Sequence, residues 1–184
     1  MRTFRTILIL ISLTIGLSAC ASVRTQSSFD QGVNFAAYKS YAWLPAFRWR
    51  QSWFQQRMSP IDEHIRQFVR EDLNAKGLRE AAGGKPDIWV VYYAGINEPV
   101  DVATLDYKPW WGEQPPPGMN GGPYNRGTLV LDVIDAKSDS LIWRGSAPGA
   151  LRTPDEDPKR VDKALTDLLA GFPPASPSSE ADKQ

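Results

Sequence analysis

Apolar and polar positions divide the chain into an apolar leader, a polar link and one patterned domain. Ile61, Ile65, Phe68, Val69 and Leu73 recur at helical spacing, which predicts a helix over Pro60–Lys76 with one apolar face. Ser59 as N-cap and Pro60 at the first helical position suit its start. Gly77, with Leu78 behind it, suits a left-handed stop. A second stripe, Val161, Leu165, Leu168 and Phe172, opens at Asp157-Pro158 and is halted by Pro173-Pro174.

Four segments carry strand patterns instead. Tyr38–Trp43 is aromatic-rich, alternates, and ends ahead of Pro45. Asp87–Ala94 is apolar after its first residue, as a strand covered on part of both faces would be. Gly127–Asp135 alternates: Leu129, Leu131 and Val133 share one face, while Thr128, Val130 and Asp132 share the other. Leu141–Ala147 follows after a short connection, so these two strands form a hairpin. The order β-α-β-β-β-α predicts an α+β fold, a two-layer sandwich in which two helices pack a mainly antiparallel sheet of about four strands.

The leader changes the picture from a free domain to a tethered one. Arg2 and Arg5 precede an apolar run over Ile7–Leu17, shorter than the roughly 20 residues needed to span a bilayer. Leu17-Ser18-Ala19-Cys20 resembles the lipobox of bacterial lipoproteins, with the chain's sole cysteine at its end. The resemblance implies cleavage between Ala19 and Cys20, a diacylglyceryl group on the Cys20 sulfur, and acylation of the new amino terminus. The alternatives are a plain amino-terminal membrane anchor or an exported chain with an incidental thiol. A lone thiol in an oxidising compartment is a liability, which favours lipidation. Ala21 stands where inner-membrane lipoproteins carry Asp, so the expected place is the bacterial envelope, on the periplasmic side of the outer membrane. The expected organisation is a signal peptide over 1–19, lipidated cysteine and flexible tether over 20–28, a domain over 29–174 and a disordered tail over 175–184.

Without residues 1–19 the chain has 165 residues, 19 basic and 21 acidic, a net charge of −2. That is one domain's length. With no Lys/Arg block there is no electrostatic reason to expect nucleic acid as partner. Seven tryptophans are many for this length. Trp43, Trp89 and Trp143 lie on the expected strands and read as core or core edge. Trp49 and Trp53 alternate with arginines in the stretch Phe47–Met58, and Tyr107, Trp110 and Trp111 precede Pro115-Pro116-Pro117. Aromatics beside cations anchor proteins, sugars or interfacial lipid. They also serve as lids on an open sheet face, and the two roles are compatible.

Catalytic constellations are missing from the pattern. His64, the sole histidine, has no nucleophile placed by motif to partner it and reads as a helix-flank residue. Asp132 and Asp135 are three apart on one strand, point to opposite faces and cannot act as a pair. With Asp101 and Asp106 they read as solvent-facing or turn-initiating acids. No metal or cofactor motif occurs, so the expectation is a non-enzymatic binding or structural domain. Its partner would be an envelope protein or a glycan such as peptidoglycan or lipopolysaccharide. A hydrolase with an unrecognised carboxylate site is the remaining alternative.

Several motifs in order resemble the DUF4136 family of bacterial lipoproteins. They are Phe29-Asp30 ahead of Tyr38–Trp43, Leu73 with Lys76-Gly77-Leu78, Pro86–Val90, Gly127–Asp132, Leu141–Gly145 and Phe172-Pro173-Pro174. The resemblance spans nearly all of residues 29–174. It implies a small lipoprotein domain of unknown function and supplies no catalytic residues. Phe47–Met58 and Asn97–Asn125 depart from the compact pattern.

Overall fold

The computed structural model describes residues 24–45, 60–83, 85–95, 100–101, 108–116, 119, 123–153 and 156–174. Among them are a short 3-10 turn over Phe35–Ala37, nine strands and two α-helices: β1 (Gln26–Phe29), β2 (Ser40–Trp43), α1 (Pro60–Ala75), β3 (Arg79–Glu80), β4 (Ile88–Gly95), β5 (Val100–Asp101), β6 (Lys108–Pro109), β7 (Pro123–Tyr124), β8 (Thr128–Asp135), β9 (Ser140–Ala147) and α2 (Pro158–Leu169). The fold is α+β. A seven-stranded sheet runs β1-β9-β8-β4-β2-β3, with β6 beside β9, and β5 and β7 make a separate ribbon.

The four expected strands stand where their apolar patterns place them, but the sheet corrects the expected count and direction. β4, β8, β9 and β1 pair antiparallel, whereas β2 is parallel to β4 and β3, and β6 is parallel to β9. β3 and β6 are two residues long, too short for a period of two to show. The parallel pair arises because α1 carries the chain back to the end of the sheet where β2 began. β1 also takes in residues 26–28, which the sequence reading assigned to the tether. Gln26 and Ser27 are exposed, so this edge strand is polar and resembles a linker in composition.

Both helices lie on one face of the sheet. Ile61, Ile65, Val69 and Leu73 of α1 are buried at intervals of four, with Phe68 at the margin. They meet Val161, Ala164, Leu165, Leu168 and Leu169 of α2 and Tyr41, Ile88, Val90, Leu129, Leu131 and Val133 of the sheet. Trp143 fills the centre of this layer at 0% exposure. Its indole N–H donates to the Gly171 carbonyl at 3.1 Å, and Phe172 sits edge-on at 5.3 Å. α1 stops as its sequence requires: Gly77 has φ +89°, and the Leu78 and Gly77 N–H groups donate to the Leu73 and Asn74 carbonyls at 3.0 and 3.1 Å. The Asp157 carboxylate caps α2 by accepting from the Lys159 N–H at 3.0 Å. The N-cap assigned to Ser59 lies outside the described residues.

Candidate binding face

The face of the sheet turned away from the helices carries Trp89, Val91 and Tyr93 of β4, Val130, Asp132 and Ile134 of β8, and Leu141, Arg144 and Ser146 of β9. A bulge in β9 decides which side chains arrive there. Val133 pairs with Trp143 and Ile134 with Leu141, leaving Ile142 without an opposite residue. Ile142 and Trp143 therefore both enter the helix-side core, and Arg144 comes to stand opposite Asp132.

Arg144 and Asp132 form a fork-to-fork ion pair: Nε donates to Oδ1 at 2.6 Å and Nη2 to Oδ2 at 2.6 Å. Their side chains are 2% and 0% exposed. Both have further interactions beyond this pair. The Trp111 ring lies over the guanidinium, 5.4 Å from ring centroid to Cζ, and Trp110 meets Trp111 at 4.4 Å and 78°. Trp89, Trp110 and Trp111 are half-buried around Leu44, Val91, Tyr93, Tyr124, Val130, Ile134 and Leu141. β6 brings the two loop tryptophans in by pairing Lys108 with Ser140 and Pro109 with Leu141. Elsewhere on this face Met119 and Tyr124 are buried, with the tyrosine hydroxyl 4.0 Å from the methionine sulfur.

Of the sequence-predicted surface residues, Trp110 and Trp111 are thus brought together, half-buried against this face. Trp49, Trp53 and Tyr107 lie outside the described residues, as do Ala19 and Cys20. Trp143 is core; Trp43 and Trp89 are half-buried at its edges. His64 lies between the helices, its Nε2 2.6 Å from Asp162 Oδ1, tying α1 to α2. Asp135 initiates the β8–β9 turn, accepting from the N–H groups of Lys137 and Ser138 at 3.0 and 2.7 Å.

Asp132 is not the solvent-facing or turn-initiating acid that its place in the strand suggests: it is fully buried and paired with Arg144, which no motif marks. A signal was present. An acid inside an apolar strand and an arginine inside the next strand of the same hairpin can face each other if the register allows. The bulge that sets this register leaves no mark in the alternation.

The chain belongs to the family described as a domain of unknown function (DUF4136), whose model matches residues 25–174. No curated protein matches the sequence. Among solved structures, a PDZ domain protein from Parabacteroides distasonis ATCC 8503 is 18% identical with a TM-score of 0.48, over 81% of this chain and 35% of that one. The PelC dodecamer from Paraburkholderia phytofirmans is 8% identical with a TM-score of 0.38, over 80% of this chain and 94% of that one. No helix among the described residues is long and apolar enough to cross a membrane.

Proposed function

We propose that the protein is a lipoprotein of the bacterial envelope, held by lipid on Cys20 at the periplasmic side of the outer membrane, whose domain binds a partner without catalysis. The observation that carries the binding role is the pair Trp110–Trp111, half-buried on this face, with Trp111 braced by the buried Arg144–Asp132 pair. A tryptophan held on a fixed cation presents a rigid amphipathic surface at low entropic cost. The lipobox supports the anchor, and no group of three or more potential metal ligands occurs among the described residues.

The partner is an envelope protein. Trp110→Ala/Trp111→Ala, compared with the parent in pull-downs from membranes after circular dichroism confirms an unchanged fold, is expected to lose the specific partner band. An unchanged partner profile would remove the loop from the binding role. Three half-buried tryptophans on one face, Trp89 included, also favour a second reading, a glycan that stacks on indole rings. Sedimentation with purified sacculi separates the two, because only the glycan reading expects the parent to pellet and the double variant to stay in solution.

A further inference from the structure

We infer that the end of the sheet where β1 begins is a membrane-docking surface, which holds anionic lipid headgroups against the domain; this rests on the proposed lipid anchor at Cys20. Gln26 is the first residue of β1 and pairs with Ser146 at the end of β9. Five residues separate it from Cys20, and the six extended Cα-to-Cα steps between them reach about 20 Å. An anchored chain therefore keeps this end of the sheet close to the bilayer, while the β8–β9 turn lies at the far end of the strands.

The charges at that end are of the sign an anionic surface attracts. Arg24 is exposed two residues before Gln26. Arg126 is exposed beside Gly127, whose carbonyl accepts from the Leu151 N–H at 3.0 Å. Arg152 follows Leu151 with its side chain 66% exposed, and Lys159 is exposed in the first turn of α2. These positions are knit together, because Arg160 Nη2 donates to the Gly149 carbonyl at 2.7 Å and Gly127 packs against Leu151 and Gly149.

Two of the described acids nearby are already engaged. Glu156 is buried, accepting from the Arg152 and Asp157 N–H groups, and Asp157 caps α2. Arg24, Arg126 and Lys159 make no ion pair with another described residue. Asp62 and Glu63, in the first turn of α1, stand at the same end of the sheet, where Tyr92 donates to Asp62. They lie on the β4–β2 side. Asp62 is engaged there by Tyr92 of β4 and by Arg66 at 3.3 Å. β4 is three strand spacings from β1 in the sheet, about 14 Å at the usual strand separation. That exceeds a Debye length of about 8 Å at physiological ionic strength, so Arg24 beside β1 meets a lipid surface without being cancelled by Asp62.

The test uses the full chain, processed in a bacterium, purified with its lipid and placed on phosphatidylcholine vesicles with or without phosphatidylglycerol. Lipidation leaves Cys20 as a thioether, so Thr153→Cys or Lys137→Cys introduces the only reactive thiol for a fluorescent probe. With nitroxide-bearing lipid in phosphatidylglycerol vesicles, the probe at 153 is expected to be quenched and the probe at 137, in the β8–β9 turn, to stay bright. The contrast should fade in phosphatidylcholine alone, in high salt, and in the combined variant Arg24→Glu/Arg126→Glu/Lys159→Glu. Equal quenching at the two positions, or a contrast indifferent to lipid charge, overturns the docking surface while leaving the anchor intact. A parent chain that itself takes up the thiol reagent has an unmodified Cys20, and both the anchor and the docking surface then fall together.

Discussion

Arg144 and Asp132 carry opposite charges into a layer where water is excluded, and removing each ion from water costs several kcal/mol. Two short parallel hydrogen bonds and the Trp111 ring over the guanidinium offset that cost. Such a pair contributes little net stability compared with apolar residues of the same volume. Its asymmetry under mutation is larger. Arg144→Met leaves a buried carboxylate without its cation and is expected to cost about 3–5 kcal/mol in denaturant unfolding. Adding Asp132→Leu should restore most of the loss, since no charge is then stranded. A single variant costing less than about 1 kcal/mol would mean that the pair is hydrated in solution. The double variant also separates stability from function, because a stable fold lacking the cation beneath Trp111 tests whether the indole needs its brace to bind.

At the scale of elements, the contact of α2 with β9 depends on the absence of a side chain at Gly145. A Cβ there would lie 2.5 Å from Trp143 Cη2 and 2.8 Å from Leu168 Cδ1. Gly145→Ala therefore overpacks the junction of helix and sheet, and a loss of about 1–3 kcal/mol is expected by thermal or chemical unfolding. A neutral result would show that α2 can slide away from β9 without strain. The elements themselves were largely legible. Both helices announce themselves by apolar spacing, Pro at the start and a glycine or proline stop, all of which are local signals. The four expected strands do so by alternation or a continuous apolar run over eight or fewer residues. Strand direction, the two-residue strands and the bulge after Leu141 were not legible, because each is decided by partners distant in sequence. The candidate face was half legible for the same reason. Trp110 and Trp111 stood out by composition, whereas the Arg144–Asp132 pair exists only in one register of the hairpin.

For the whole molecule, titratable groups at both ends of the sheet predict a bounded pH range of stability. Asp87 ties the start of β4 to β2, accepting from the Lys39 and Ser40 N–H groups at 2.8 and 2.9 Å and from the Ser40 hydroxyl at 2.9 Å. Those bonds hold its carboxyl below the usual aspartate range. Burial pushes the Asp135 carboxyl up, but bonds from Ser138, Tyr38 and Lys137 outweigh it, and the net direction is also down. Glu156 is lowered chiefly by the Arg152 N–H. A carboxyl with a depressed folded pKa contributes stability that is present above its unfolded pKa of about 4 and is lost as pH falls through the folded value. Two tyrosines set the alkaline limit. Burial, with the Asp135 bond adding to it, raises Tyr38, and burial with the Glu80 charge pushes Tyr41 up to about 12 against the opposing Arg70. Their contribution is complete below the unfolded tyrosine value of about 10 and disappears as pH rises through the folded ones. Unfolding free energy should thus hold roughly level across neutral pH, falling below about pH 4 and again above about pH 10. Asp87→Ala should lower the neutral plateau by about 1 kcal/mol, at the modest end for an exposed acceptor, and flatten the acid limb. Denaturant melts of parent and variant across pH 2.5–7 measure both at once, and parallel acid limbs would show that Asp87 is not among the groups that set the acid limit.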